Sequence, residues 1–240
     1  MKKKIGCNYS NGIYYGGCLS SFNGTFTNEE VMIENGIGDI VTAKIGDITD
    51  AYEILKRKIM ENNKNNFYDI CHLIYVTIDE YFNGIENISK RIEYYTPEDE
   101  EGHENNKISN LKGSGAAMCV ERSMLAQNLL KSLNINSYYK CSGIIKNESK
   151  EIHSYNLIEY NNNYYIFDSS IPTIKNGVIT PLITNIPKEV FNKIISPEQS
   201  IGYSIKVSHY NPLRDTDVTI TYDSGRKDLY EIDNSKIITK

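Results

Sequence analysis

The spacing of apolar residues changes twice along these 240 residues, and this places the chain among α+β proteins. Residues 1 to 46 read as loops and short strands. Residues 49 to 133 hold segments in which apolar residues recur every three to four positions. From "SYYKCSGII" onward the stretches are short, aromatic and β-branched, with turn residues between them. That order predicts helices packed on an antiparallel sheet, with further strand segments at both ends.

Each element has its own local reason. In "VMIENGIGDIV" the pair Asn35-Gly36 marks a hairpin turn between apolar stretches. The first helix begins at "DITDAYEILKRKIMENN", where Thr49 or Asp50 is the expected cap and Tyr52, Leu55 and Ile59 share a face. The second is "FYDICHLIYVTIDEYF", with Ile70, Ile74, Ile78 and Tyr81 on one side and Leu73 and Thr77 beside them. "TPEDEEGHENNKISNLKGSG" is acidic and polar, and reads as an exposed loop. The third helix follows in "GSGAAMCVERSMLAQNLLKSL". Met118, Leu125, Leu129 and Leu133 form its stripe, and Glu121 and Arg122 are expected at its surface. The strands "SYYKCSGII", "EIHSYNLIEY" and "YYIFDSS" come next. Residues 171 to 200 carry four prolines and one weak helix at "PKEVFNKII", and the tail alternates in short strands around Asp223-Ser224-Gly225. The segments suggest an extension over 1–48, a core over 49–200 and a strand segment over 201–240, or one compact domain holding all three.

Composition narrows the function classes. A net charge of -5 argues against a nucleic-acid partner. No run of about 18 apolar residues suggests a membrane span, and Asn8, Ser10, Asn11 and Gly12 interrupt any signal-like core after "MKKK". The five cysteines are Cys7, Cys18, Cys71, Cys119 and Cys141; they are irregularly spaced and include no CxxC pair. That fits a reducing cytoplasm rather than a disulfide framework or a zinc site, and neither a metal nor an organic cofactor is expected. Adjacent residues point about 100° apart on a helix, so Cys71 and His72 do not form a metal pair. His103 falls in the acidic loop, and His209 has no partner visible in sequence.

Cys119 stands apart because of its setting. A thiol attacks as thiolate, and free cysteine has a pKa of about 8.5, so something must favour the anion. The first turn of a helix does this through unpaired N–H groups and the helix dipole. Gly113 and Gly115 precede it and let backbone pass close to a substrate, where their N–H groups could meet an oxyanion. A base is available in His153, 34 residues on, and an orienting group in Asp168, 15 residues further. If Asn161-Asn162 form a two-residue turn, Tyr160 pairs with Asn163, and Tyr155 falls opposite Asp168. His153 then lies two residues along the same face, about 7–8 Å away diagonally. A three-residue loop without a bulge would put Asp168 on the wrong face.

A cysteine opening a helix, "HSYNLIEYNNNYYIFDSS" on the following strands, and an Asp ending the last of them together resemble the transglutaminase-like superfamily, a branch of the papain-like cysteine enzymes. The family text is H-x-W-N-x-V and then D-x-T/S; here Tyr155 replaces the Trp and Ser169 follows Asp168. The resemblance covers roughly residues 66 to 172. It implies a papain/transglutaminase-like fold, Cys119 as nucleophile, His153 as general base and acid, and Asp168 as orienter of the imidazole. Gly113, Gly115 and Tyr155 are then the candidate substrate contacts. The implied reaction is on amide bonds of a peptide or protein, through a thioester, ending in hydrolysis or acyl transfer. One alternative is the same fold without catalysis, used to bind proteins. Another is an arylamine N-acetyltransferase-like enzyme, since "GAAMCVE" has Glu121 two residues past Cys119; Ala116 and Ala117, however, stand where that family has glycines. Oligomeric state is not readable from the residues.

Overall fold

The computed structural model describes residues 13–15, 18–34, 40–62, 66–85, 87–95, 106–146, 149–175, 178–195, 203–208, 216–222 and 227–232. The chain forms two compact units, one of Gly24–Asn134 and one of Met1–Asn23 together with Ile135–Lys240. The fold is α+β, with helices and antiparallel sheets.

In the second unit the strands are β1 (Ile13–Tyr15), β2 (Cys18–Phe22), β5 (Asn136–Lys146), β6 (Ser149–Tyr160), β7 (Asn163–Lys175), β8 (Val178–Ile186), β9 (Tyr203–Ser208), β10 (Thr216–Tyr222) and β11 (Lys227–Ile232). They make a five-stranded sheet in the order β2-β5-β6-β7-β8 and a four-stranded one in the order β1-β9-β10-β11. All these pairings are antiparallel. Asn161 and Asn162 turn the β6–β7 hairpin with φ of 49° and 60°, and Tyr160 faces Asn163, as the two-residue loop requires. The turn at Asp223-Ser224-Gly225 lies outside the described residues.

The described residues between 171 and 195 are more regular than the prolines there suggest. β7 runs on to Lys175 and pairs with β8, with a register shift between Asp168 and Pro172. Pro172 sits past that irregularity, and Pro181 lies on β8, an edge strand of its sheet, so the missing N–H donors are tolerated there. Helix α4 (Lys188–Ile195) follows, and its Phe191 ring meets Tyr138 and Tyr164 at centroid distances of 5.7 and 4.7 Å.

The Gly24–Asn134 unit holds the hairpin β3 (Val31–Glu34) and β4 (Ile40–Ala43), then α1 (Thr49–Asn62), α2 (Phe67–Phe82) and α3 (Cys119–Ser132). The expected Asn35-Gly36 turn falls outside the described residues. The N-terminus of α1 lies one or two residues earlier than sequence suggests: Thr49 is already helical, and Asp47 Oδ1 accepts its N–H at 2.9 Å and its hydroxyl at 2.7 Å. Helix α2 has the expected bounds because both ends are marked. The Asn66 side chain accepts the Asp69 N–H, and Asn83 closes the helix at φ 60°.

The stretch read as an exposed polar loop divides. Residues 96–105 lie outside the described set, but Ile108–Leu111 form a 3₁₀ turn with Ile108 and Leu111 fully buried. Two apolar residues in a polar run had too little periodicity to announce this. A longer correction concerns α3. It is buried nearly all round, including Glu121, Arg122, Gln127 and Asn128. Among the described residues, no helix is long and apolar enough to cross a membrane.

Candidate active site

The β6–β7 hairpin brings two of the predicted residues together. Asn156 pairs with Phe167, so Tyr155 and Asp168 are the next residues along and point to the opposite face. His153, two positions before Tyr155, shares that face. Its Nε2 lies 2.6 Å from Asp168 Oδ2, and Asp168 has no exposed surface. With an ionised carboxylate as acceptor, Nε2–H is the donor. The other oxygen, Oδ1, accepts the Ser170 N–H at 3.0 Å and the Ser170 hydroxyl at 2.7 Å. Burial by itself pushes the Asp168 carboxyl up. The His153 imidazole and the two Ser170 donors outweigh that and hold it below the usual carboxylate value. Tyr155 is fully buried, and its ring stacks on His153 at 6.2 Å and 17°. That position suits a wall for the imidazole better than an open substrate contact.

Cys119 belongs to the helical unit. It is the first residue of α3, half-buried, with a free thiol. The turn it sits on is held by Glu121, whose Oε2 accepts the Met118 N–H at 2.9 Å. Glu121 Oε1 meets Arg91 Nη1 at 2.6 Å and accepts the Tyr95 hydroxyl at 2.9 Å. Arg91 Nη1 also donates to the Ala116 carbonyl at 3.3 Å. Burial and the Glu121 carboxylate push the Tyr95 hydroxyl well above its ordinary value, against the pull of Arg91, so Tyr95 stays a proton donor. Arg122 leaves this cluster and binds Asp79 Oδ1 on α2 at 3.0 Å. Glu121 and Arg122 are therefore interior residues, not surface ones. Paired charges can be buried where single charges cannot.

The glycines before Cys119 do something other than expected. Gly113 and Gly115 adopt φ of 72° and 70°. Their N–H groups donate to the Tyr81 and Phe82 carbonyls, at 2.9 and 2.6 Å, and so close off the end of α2. Those two N–H groups are spent and not available to an oxyanion. A Cβ at Gly115 would lie 3.1 Å from Asn87 Nδ2 and 3.2 Å from the Asn83 carbonyl oxygen, which explains glycine there without any substrate.

Sequence reasoning missed Arg91, Tyr95 and Ser170. Ser170 carried a signal, being the residue two past Asp168. Arg91 and Tyr95 carried none, since their partner lies 26 or more positions away. Cys71 is fully buried inside α2, and burial pushes its thiol up, away from reactivity. Among the described residues no group of three or more His, Cys, Asp or Glu is placed to hold a metal ion. His103 and His209 lie outside the described set.

A cysteine opening a buried helix in one unit, and a buried His–Asp pair on an antiparallel hairpin in the other, define a protein of the papain/transglutaminase-like class. Residues 58–195, more than half of the chain, match the transglutaminase-like domain family, and the chain belongs to it. That span includes Cys119, His153 and Asp168. No curated protein matches the chain significantly.

Proposed function

We propose that this chain is a thiol enzyme that acts on amide bonds of a peptide or protein. The observation that supports it best is the buried contact of 2.6 Å between His153 and Asp168. An imidazole gripped at Nε2 by a carboxylate is fixed in orientation and tautomer, which is what a general base needs. With Nε2 committed, proton traffic runs through Nδ1. In the proposed cycle His153 Nδ1 takes the Cys119 thiol proton, the sulfur attacks the amide carbonyl carbon, and the tetrahedral oxyanion accepts the N–H of Cys119 itself. That N–H lies in the first turn of α3 and has no acceptor within the helix. His153 gives its proton to the leaving amine, the C–N bond breaks, and a thioester remains. Water, with His153 taking its proton, then gives a carboxylate and the free thiol. An incoming amine gives a new amide instead. The cysteine works only while reduced, so the cytoplasm is the proposed compartment.

The test is alkylation by iodoacetamide, followed cysteine by cysteine with mass spectrometry from pH 5 to 9, in wild type and His153→Ala. Cys119 is expected to react fast at pH 6 to 7 and to lose that advantage without His153. Cys119→Ala should remove amide hydrolysis on a peptide library while leaving the circular dichroism unchanged. A Cys119 that reacts no faster than an ordinary thiol would sink the enzyme reading and favour the same fold serving as a protein-binding module.

A further inference from the structure

The first turn of α3 carries Cys119 at its first position and the Glu121 carboxylate at its third, and a helix N-terminus favours negative charge. A sulfur anion formed at Cys119 in the proposed reaction would share that turn with the carboxylate. Glu121 is fully buried, so water does not screen it. Among the described residues of the helical unit, the charged and titratable groups around this turn are Glu121 and Arg122 on α3, Arg91 and Tyr95 in and just after the 3₁₀ turn Ile88–Glu93, and Tyr75 and Asp79 on α2. Arg122 and Asp79 pair with each other. Arg91, only 2% exposed, lies 2.6 Å from Glu121.

We propose that Arg91 and Glu121 act together as positioning residues for the Cys119 thiol. Glu121 ties down the backbone at Met118 and Arg91 ties down the carbonyl of Ala116, so the segment from Ala116 to Met118 that leads into the helix is held at both ends. Arg91 also cancels the carboxylate charge. The first-turn N–H groups are then left to favour the sulfur anion. Neither side chain touches substrate in this scheme; both act through Cys119. The proposal rests on Cys119 being the nucleophile proposed above.

The consequence is a pair of shifts with opposite sign. In Arg91→Met the carboxylate stands unbalanced two residues from the sulfur. The pH of half-maximal Cys119 alkylation should rise, with the rate at pH 7 falling by about tenfold. In Glu121→Gln the guanidinium stands unbalanced, and the same midpoint should fall. The double variant Arg91→Met/Glu121→Gln removes both charges, a change that buried pairs tolerate better than the loss of one partner, and its midpoint should return toward wild type. A merely structural pair would lower the melting temperature in both single variants without moving the midpoint in opposite directions.

The experiment is the iodoacetamide pH profile of Cys119 in these three variants of the full chain, with a thermal melt of each. Opposite shifts and recovery in the double variant support the proposal. Shifts of the same sign, or none, overturn it while leaving the nucleophile assignment standing, provided wild-type Cys119 is fast at pH 6 to 7. If wild-type Cys119 is slow there, the nucleophile assignment falls and this proposal with it. Should one single variant fail to fold, the sign of the remaining single variant against the double decides.

Discussion

Asp168 shows how one carboxylate can serve chemistry and stability together. It is buried, bonded to His153 and Ser170, and held below its ordinary titration range. The folded state therefore releases the Asp168 proton more readily than the unfolded state, where a free Asp titrates near about 3.9. The resulting stability is fully present above that pH, and it is lost as pH falls through the lower, folded value. Asp168→Asn should show this directly. In urea titrations its deficit against wild type is expected to shrink as pH falls from 5 to 3. A deficit that does not change over that window would mean the carboxylate charge contributes nothing. On the proposed reaction the same variant should lose roughly 10⁴-fold in kcat, because an amide in place of the carboxylate favours the wrong tautomer. His153 and Asp168 were legible in the sequence because a two-residue Asn-Asn turn fixes which residues share a face. The roles of Arg91 and Tyr95 were not, because a buried ion pair leaves no periodic trace.

At the scale of elements, α2 and α3 make a useful contrast. Helix α2 buries one face and keeps its 3.6-residue stripe, so its bounds follow from Asn66, Asn83 and the Ile and Leu spacing. Helix α3 is surrounded. Its polar residues are inside because partners far along the chain satisfy them, and a stripe of Leu and Met describes only part of what it buries. Asn128 is the clearest instance. Its Oδ1 accepts the Phe26 N–H at 2.7 Å, and its Nδ2 donates to the Phe26 carbonyl at 2.9 Å. Gln127 donates to the Gly24 carbonyl at 2.9 Å. One amide side chain thus completes a backbone pairing that no strand provides. Asn128→Ala strips both bonds from the buried Phe26 backbone, which should cost about 2–6 kcal/mol at roughly 1–3 for each orphaned group. Chemical denaturation measures this, and a loss below about 0.5 kcal/mol would mean that Phe26 finds other partners.

At the scale of the whole molecule, the strand order carries what no local pattern could. β2 pairs with β5 at Phe22↔Tyr139, and β1 pairs with β9 at Tyr15↔Ile205. A reading that moves along the chain sees four short strands near the start and cannot tell that the first two belong to different sheets. The antiparallel character was readable; the partners were not, since pairing depends on residues more than a hundred positions away. The edge strand also has a measurable effect. Removing residues 1–22 deletes β1 and β2 and leaves the outer edges of β9 and β5 with open backbone donors and acceptors. The truncated chain should melt at a lower temperature and associate on size-exclusion chromatography. An unchanged melt and a single monomeric peak would show that neither β1 nor β2 adds anything to its sheet.

The pairing of β2 with β5 also sets an order of events on the ribosome. Every residue of the Gly24–Asn134 unit is synthesised after β2 and before β5. At about 5–20 residues per second, β2 waits roughly 6–23 s for its neighbour. The helices can gather in that interval with all their own segments present. The five-stranded sheet cannot, so the first strand made is among those that must wait longest to dock.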